Sequence, residues 1–137
     1  RATGILFVIF AVSINIPYWL LTKNFEYDDI LRRPPEYVLT RFHAGGTGLI
    51  LTWFAFAILA LLFIPASTLL QKLLSREDTP YLATATLMGV ISGVLQAAGL
   101  MRWVFVIPVL ARIYVNPTAT DSTRAAVLVV FQAVHQY

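Results

Sequence analysis

Four long apolar stretches fill most of this chain, and they restrict its fold more than any other feature. They run over 4–21, 49–66, 81–101 and 125–137. A helix needs about 20 mostly apolar residues to cross a hydrocarbon core of roughly 30 Å, and the first three stretches meet that length without a charged residue. The sequence therefore predicts an all-α integral membrane helical bundle, a single domain with about four transmembrane helices.

The overall composition supports a membrane environment. Hydrophobic residues make up 58% of the chain and charged residues 12%, and the mean hydropathy is +0.74. A soluble domain of this size could not bury so much apolar surface. The absence of cysteine removes disulfides, thiolate nucleophiles and cysteine metal sites. The basic residues are scattered over the loops, which is typical of charge at a membrane interface and argues against a nucleic-acid partner.

The predicted helices cover roughly 4–22, 44–70, 81–112 and 122–137. Residues 23–42 form a charged loop, in which Pro35 and Glu36 would make a good first helical turn. A helix lying in the membrane interface and an ordinary loop are both open for this segment. Pro65 and Pro108 can each mark a kink or a helix end, and we favour a long or kinked third helix.

The fourth apolar stretch is short. As a helix it would reach only about 20 Å, which is less than a full crossing. Either the helix ends inside a protein interior, or the sequence is a fragment whose fourth span continues. We favour the fragment, and the first residue, an arginine, agrees with that interpretation.

Basic residues favour one orientation in the membrane. Threading the helices back and forth leaves Arg1, Lys72 and Arg76 on one side. The other seven lie on the side of the first and third loops: Lys23, Arg32, Arg33, Arg41, Arg102, Arg112 and Arg124. Because cytoplasmic loops carry the excess of Lys and Arg, we expect the first loop to face the cytoplasm.

Small residues recur every four positions in the third predicted helix. Ala85, Gly89, Gly93 and Ala97 would form one ridge along it, where another backbone can approach closely. In lipid, such ridges associate helices through van der Waals contact. The partner helix is either another span of this chain or a different subunit.

Polar residues within the apolar stretches form a predicted layer toward the first-loop side of the membrane. Five of them lie about 8–16 Å from that side, and Arg102 lies near its edge. The layer comprises Asn15, Thr52, Gln96, Arg102, Gln132 and His135. One interpretation is a polar cavity that binds a ligand or relays a proton through His135. The favoured one is a set of interhelical hydrogen bonds, since no acidic residue falls in the layer. Arg102 could also reach the interface, with Trp103 beside it in an aromatic belt.

Two histidines raise the question of haem or chlorophyll ligation. His43 begins the second helix at the membrane edge, whereas His135 lies deeper by about 16 Å, so one iron could not reach both. A site at either histidine alone stays open as a minor alternative. We predict no cofactor, because His43 with Gly45 and Gly46 fits an interfacial helix start with close backbone packing.

Catalytic motifs are absent from the sequence. The acidic residues Glu26, Asp28, Asp29 and Glu36 are concentrated in one loop, and the glycines of 45–48 lack the lysine of a phosphate-binding loop. We therefore expect no enzymatic activity and no metal site.

Several segments carry a resemblance to a known family: 102–111, Tyr114, Pro117, 123–126 and 131–137, and, near the start, 35–39, Arg41, Phe42, Gly45 and Gly46. On these residues the chain resembles a bacterial multi-pass membrane protein family of unknown function, the domain of unknown function 4386. It implies further membrane helices beyond the His-Gln-Tyr segment, and it implies no catalytic residue. From this resemblance we expect the protein to lie in a bacterial cytoplasmic membrane or an internal energy-transducing membrane.

The sequence thus predicts a non-enzymatic structural or accessory subunit, embedded in the lipid bilayer and packed against other subunits of a membrane protein complex. The alternative is a small transporter or ligand-binding module that uses the polar layer. A pigment- or haem-binding subunit is a third hypothesis.

Overall fold

The structure, a computed structural model, describes residues 2–75 and 79–135. These residues form six α-helices and a short 3-10 turn at Ile30–Arg32, with no strand among them. The helices are α1 (Ala2–Phe25), α2 (Pro35–Ala60), α3 (Phe63–Leu74), α4 (Leu82–Phe105), α5 (Ile107–Tyr114) and α6 (Asp121–His135). The predicted all-α fold is confirmed. Arg1, Arg76 and the last two residues of the predicted fourth helix lie outside the described residues.

Three segments of the described chain are long and apolar enough to cross a membrane: Gly4–Phe25, Pro35–Leu74 and Leu82–Tyr114. Their length and composition place the chain among integral membrane proteins. The fourth predicted span forms α6, which has 15 residues in the described part of the chain and is not among the three.

In the structure, the helical segment that corresponds to the second predicted helix is longer than predicted, and it is broken twice. Helix α2 already begins at Pro35. Proline lacks a backbone N–H, and this has no cost in the first turn, where the N–H groups have no partner within the helix. At Gly46 the backbone leaves the helical region, with φ 56° and ψ −154°. The second break separates α2 from α3 at 61–62, since Pro65 cannot donate to the Leu61 carbonyl and its ring crowds that group.

The third predicted helix has the kink expected from its proline. Helix α4 ends at Phe105 and α5 starts at Ile107, so the helix breaks at Val106. Pro108 explains the position, because it offers no N–H to the Val104 carbonyl four residues earlier.

The buried core lies at the ends of the helices that adjoin the first loop. Its centre is an aromatic cluster of Phe25, Phe42, Trp53 and Trp103, each at most 2% exposed. The indole rings of Trp53 and Trp103 stack with centroids 4.6 Å apart and planes 7° apart. Phe25 meets Phe42, Trp53 and Trp103 edge-on at 5.6, 6.2 and 5.6 Å. Helices α1, α2 and α4 are thereby joined at one point. Such aromatic pairs add roughly 0.5–1.5 kcal/mol each beyond area burial.

The small-residue ridge of α4 packs inside the chain over its middle part. A Cβ atom added at Gly93 would lie 3.0 Å from the Cβ of Phe63 and 3.4 Å from the carbonyl oxygen of Ala60. One added at Gly89 would overlap the hydroxyl of Ser67 and lie 2.9 Å from its Cβ. Ala97 is buried and Ala85 is exposed. Within this structure, the ridge packs against α3 and the end of α2.

We predict that Gly46→Ala lowers the free energy of unfolding by about 1–3 kcal/mol, because a side chain is strained in this backbone conformation. Gly48→Ala is the matched control. Its Cβ meets nothing within 4 Å and the residue is helical, so its stability should stay equal or rise slightly. Thermal unfolding in mild detergent, followed by circular dichroism, measures both. Equal stability of the two variants would contradict the break at Gly46.

We predict that Gly89→Ala costs about 1–3 kcal/mol through crowding against Ser67. Gly99→Ala, on the same helix with open space around its Cβ, should cost nothing. Adding Ser67→Gly to Gly89→Ala should restore part of the lost stability, since the crowded atoms are removed. A double variant no more stable than Gly89→Ala alone would show that α4 does not approach α3 at this point.

Candidate functional site

A cavity of about 410 Å³ opens between α1, the first loop, α2, α3 and α4. This volume falls within the range of roughly 300–1,000 Å³ typical of ligand pockets. Most of its lining is apolar, and three lining residues carry polar side chains: Tyr27, Gln96 and Arg102. An apolar cavity with a few polar groups is the usual form of a small-molecule site.

The polar groups of this cavity are unevenly distributed. Arg102 lies near the end of α4 and Tyr27 in the adjoining first loop. Gln96 precedes Arg102 by six residues, which is about 9 Å along the helix. The far end is formed by Phe63, which packs beside Gly93. The cavity therefore has a polar end toward the first loop and an apolar end toward the middle of the span.

Arg102 connects α4 to the last described helix. Its Nη1 donates a hydrogen bond to the carbonyl oxygen of Val134 at 3.1 Å, and its side chain is partly buried. The neighbouring Tyr27 is also partly buried, and this burial raises the pKa of its phenol. Asp28 acts in the same direction and the positive charge of Arg102 opposes it. Tyr27 therefore presents a hydroxyl at the polar end of the cavity.

His135 ties α6 to the first loop. Its Nε2 lies 3.2 Å from the carbonyl oxygen of Leu31. A carbonyl can only accept, so Nε2 carries the hydrogen. The imidazole stacks on Phe131 with centroids 5.1 Å apart and meets Trp103 edge-on at 5.9 Å. Its Nδ1 is buried and makes no hydrogen bond to the described residues.

The first loop is a packed, strained segment and not a loosely solvated one. Glu26 and Asp28 have φ of 55° and 77°, a region that non-glycine residues rarely adopt. Glu26 accepts a hydrogen bond from the Tyr37 hydroxyl at 3.0 Å and pairs with Arg41 at 3.3 Å. Asp28 accepts one from the Tyr18 hydroxyl at 2.7 Å. Side chains on both flanking helices therefore hold the loop in shape.

The structure brings only part of the predicted polar layer together. Gln96 and Arg102 line the same cavity, and His135 bonds to Leu31, which lines it too. Gln96 and Arg102 were expected near the first-loop side, whereas His135, expected about 16 Å from it, contacts the first loop itself.

The other members of the predicted layer point elsewhere. Asn15 donates to the carbonyl of Ala11 in its own helix, at 2.6 Å, and is exposed. Thr52 donates to the carbonyl of Gly48, also in its own helix, at 2.9 Å. Gln132 is exposed on α6. These three residues do not form the interhelical hydrogen bonds that we expected from the sequence.

Sequence reasoning misplaced Trp103 and missed the role of Trp53. The aromatic belt predicted for Trp103 is wrong, since this residue is 1% exposed and stacks on Trp53 inside the bundle. Both lie on helices with apolar residues on every side, so hydropathy alone does not mark the buried face. The spacing of residues in the sequence gave no signal for Tyr27 either, because the position of Tyr27 depends on how the first loop packs against the helices.

The two histidines occupy different parts of the structure. His43 is exposed and lines a smaller pocket of about 270 Å³ between α2 and α5, together with Arg112. His135 lies against Trp103 and the first loop. Among residues 2–75 and 79–135, no three His, Cys, Asp or Glu side chains are grouped as metal ligands would be.

Comparison with known protein families matches residues 2–137 to the family described as Domain of unknown function (DUF4386). No curated protein and no solved structure matches the chain.

We predict that His135→Leu lowers the free energy of unfolding by about 1–3 kcal/mol, because it leaves the Leu31 carbonyl without its hydrogen bond. His43→Leu serves as the matched control and should change stability by less than about 0.5 kcal/mol, since His43 is exposed. Both variants can be compared by thermal unfolding in the same detergent. If the two cost the same, the contact between α6 and the first loop does not stabilise the protein.

Proposed function

The chain belongs to the family described as Domain of unknown function (DUF4386), and we propose that this member is a non-enzymatic accessory subunit of a larger membrane protein complex. In this role, helix α1 packs against a transmembrane helix of another subunit. The proposal rests on one residue, Asn15, and on the face of α1 that carries it.

Helix α1 is sparsely covered by the rest of the described chain. Only 11% of the residues in its most apolar 18-residue stretch are buried. The exposed face carries Ile5, Val8, Ile9, Val12 and Ile16, each at least 57% exposed. Apolar residues of this kind can face either lipid or another helix, so they do not by themselves favour a partner.

Asn15 favours a partner over lipid. It lies ten residues before Phe25, about 15 Å from that end of α1 and near the middle of the span. One amide hydrogen is satisfied by the Ala11 carbonyl, but the residue is exposed on the sparsely covered face. Polar side chains within spans almost always face a bundle interior, because an unsatisfied amide in hydrocarbon costs several kcal/mol.

A groove around Asn15 fits a helix. It is lined by Ala11, Val12, Asn15, Ile16 and Trp19 and is almost entirely apolar. A partner helix with a hydrogen-bond donor at the level of Asn15 would satisfy the amide oxygen and cover the groove. Interhelical hydrogen bonds of this kind contribute about 1–2 kcal/mol in model helices.

The proposal predicts that the full-length protein, extracted from its native membrane in mild detergent, travels in a stoichiometric particle much larger than one copy of that protein. Asn15→Leu should lower the association constant of the complex about 5- to 30-fold, which corresponds to 1–2 kcal/mol, and so reduce the assembled fraction. Asn24→Leu, an exposed position at the end of the same helix, should leave assembly unchanged. Size-exclusion chromatography with light scattering measures the particle mass.

A particle of the protein's own mass would overturn the accessory-subunit proposal. So would equal assembly of the Asn15→Leu and wild-type chains.

A second function is favoured by a separate observation, the cavity that brings Gln96 and Arg102 together. On that basis, the protein is a ligand-binding membrane module. The two functions are compatible, since the cavity lies on the inner side of α1 and Asn15 on its exposed face.

A further inference from the structure

We propose that the smaller pocket, between α2 and α5, binds the phosphate group of an anionic lipid, with Arg112 and His43 as the two binding groups. This pocket lies on the outer surface of the bundle, where both residues are exposed, and it shares no lining residue with the larger cavity. The proposal therefore depends on neither of the functions proposed above.

Two basic side chains from different helices lie at the same level of this pocket. Helix α2 leads away from the first loop and α5 leads back toward the same side, so the start of α2 lies beside the end of α5. His43 is in the first part of α2, and Arg112 is two residues before the end of α5. Both line the pocket, so they can contact one ligand from two sides.

The chemistry of these two residues favours a phosphate. The guanidinium of Arg112 is permanently charged and can form two parallel hydrogen bonds with phosphate oxygens. The imidazole of His43 carries an N–H donor in either tautomer. In the described part of the chain, no carboxylate lines the pocket to compete for these groups. Basic pockets between transmembrane helices are typical binding sites for anionic lipid head groups.

The deeper wall of the pocket is apolar, as the chains of a lipid require. Ile50 follows His43 by seven residues, which is about 10 Å along α2. Pro108 precedes Arg112 by four residues, about 6 Å along α5, and Val109 is exposed beside it. The polarity thus changes from basic to apolar with depth, in the same order as the phosphate and the acyl chains of a lipid.

The size of the pocket fits a head group better than a partner helix. Its volume is about 270 Å³, and on α2 it extends from Phe42 to Ile50, about 12 Å. A transmembrane helix of another protein would cover roughly 30 Å. Gly46 forms part of the wall, and a Cβ added there would meet nothing within 4 Å. The missing side chain therefore leaves open space between His43 and Ile50.

Native mass spectrometry of the full-length protein in mild detergent measures this binding directly. The probes are dioleoyl phosphatidylglycerol, which is anionic, and dioleoyl phosphatidylcholine, which has the same chains and no net charge. Phosphatidylglycerol should bind at least about fivefold more tightly, because one basic residue near a membrane surface contributes about 1 kcal/mol. Equal binding of the two lipids would overturn the proposal.

Charge removal tests the role of Arg112. Arg112→Gln should lower the affinity for phosphatidylglycerol at least about fivefold and leave that for phosphatidylcholine unchanged. Arg32→Gln is the matched control, because Arg32 is an exposed residue of the first loop outside the pocket. It removes the same charge and should bind phosphatidylglycerol normally. Equal losses in the two variants would show a general effect of net charge and would overturn the proposal.

Two variants at His43 test the second binding group. His43→Leu should weaken phosphatidylglycerol binding about two- to tenfold, since it removes a hydrogen-bond donor without loss of folding at this exposed position. His43→Gln should lose less, because its amide still donates. Wild-type affinity in His43→Leu would exclude His43 as a binding group and overturn the proposed site.

Competition distinguishes a lipid from free phosphate. An excess of inorganic phosphate should leave phosphatidylglycerol bound, because inorganic phosphate has no chains to lie along Ile50 and Val109. Displacement of the lipid by inorganic phosphate would show a site for the free anion and would overturn the lipid as the occupant.

Discussion

The contact between Trp53 and Trp103 is the interaction on which the rest of this fold depends. Helices in lipid gain nothing from the hydrophobic effect against one another, so they need tight van der Waals packing at defined points. The two stacked indoles supply it, and Phe25 and Phe42 complete the cluster at its edges. Because these residues come from α1, α2 and α4, the cluster sets how the helices meet. The polar end of the cavity lies directly beside it, since Trp103 belongs to both.

The elements that depend on local sequence were predictable. Hydropathy identified the spans because a bilayer requires long apolar segments, and Pro108 marked the kink because proline removes a backbone donor wherever it occurs. The break at Gly46 was not predictable in this way. A glycine permits a positive φ without requiring one, so the presence of Gly46 in the sequence does not indicate that the helix breaks there.

The candidate site was predicted only in part, for a geometric reason. Depth along a helix follows from counting residues, but the direction in which a side chain points depends on how the helices are rotated against each other. Gln96 and Arg102 have both the depth and the direction to meet in one cavity. Asn15 has the depth alone, and its direction places it on the opposite side of α1. The same limitation applies to the ridge of α4, whose small residues were evident in the sequence while its neighbour, α3, was not.

The break in α2 has a mechanical consequence. Gly46 lies between Phe42 and Trp53, and both of these rings contact Trp103. The two halves of α2 are therefore fastened to one side chain of another helix. Neither half can swing about Gly46 without parting an aromatic contact. Gly46 therefore introduces a fixed bend into α2 and does not act as a free hinge. The first half of α2 keeps a constant angle to the second.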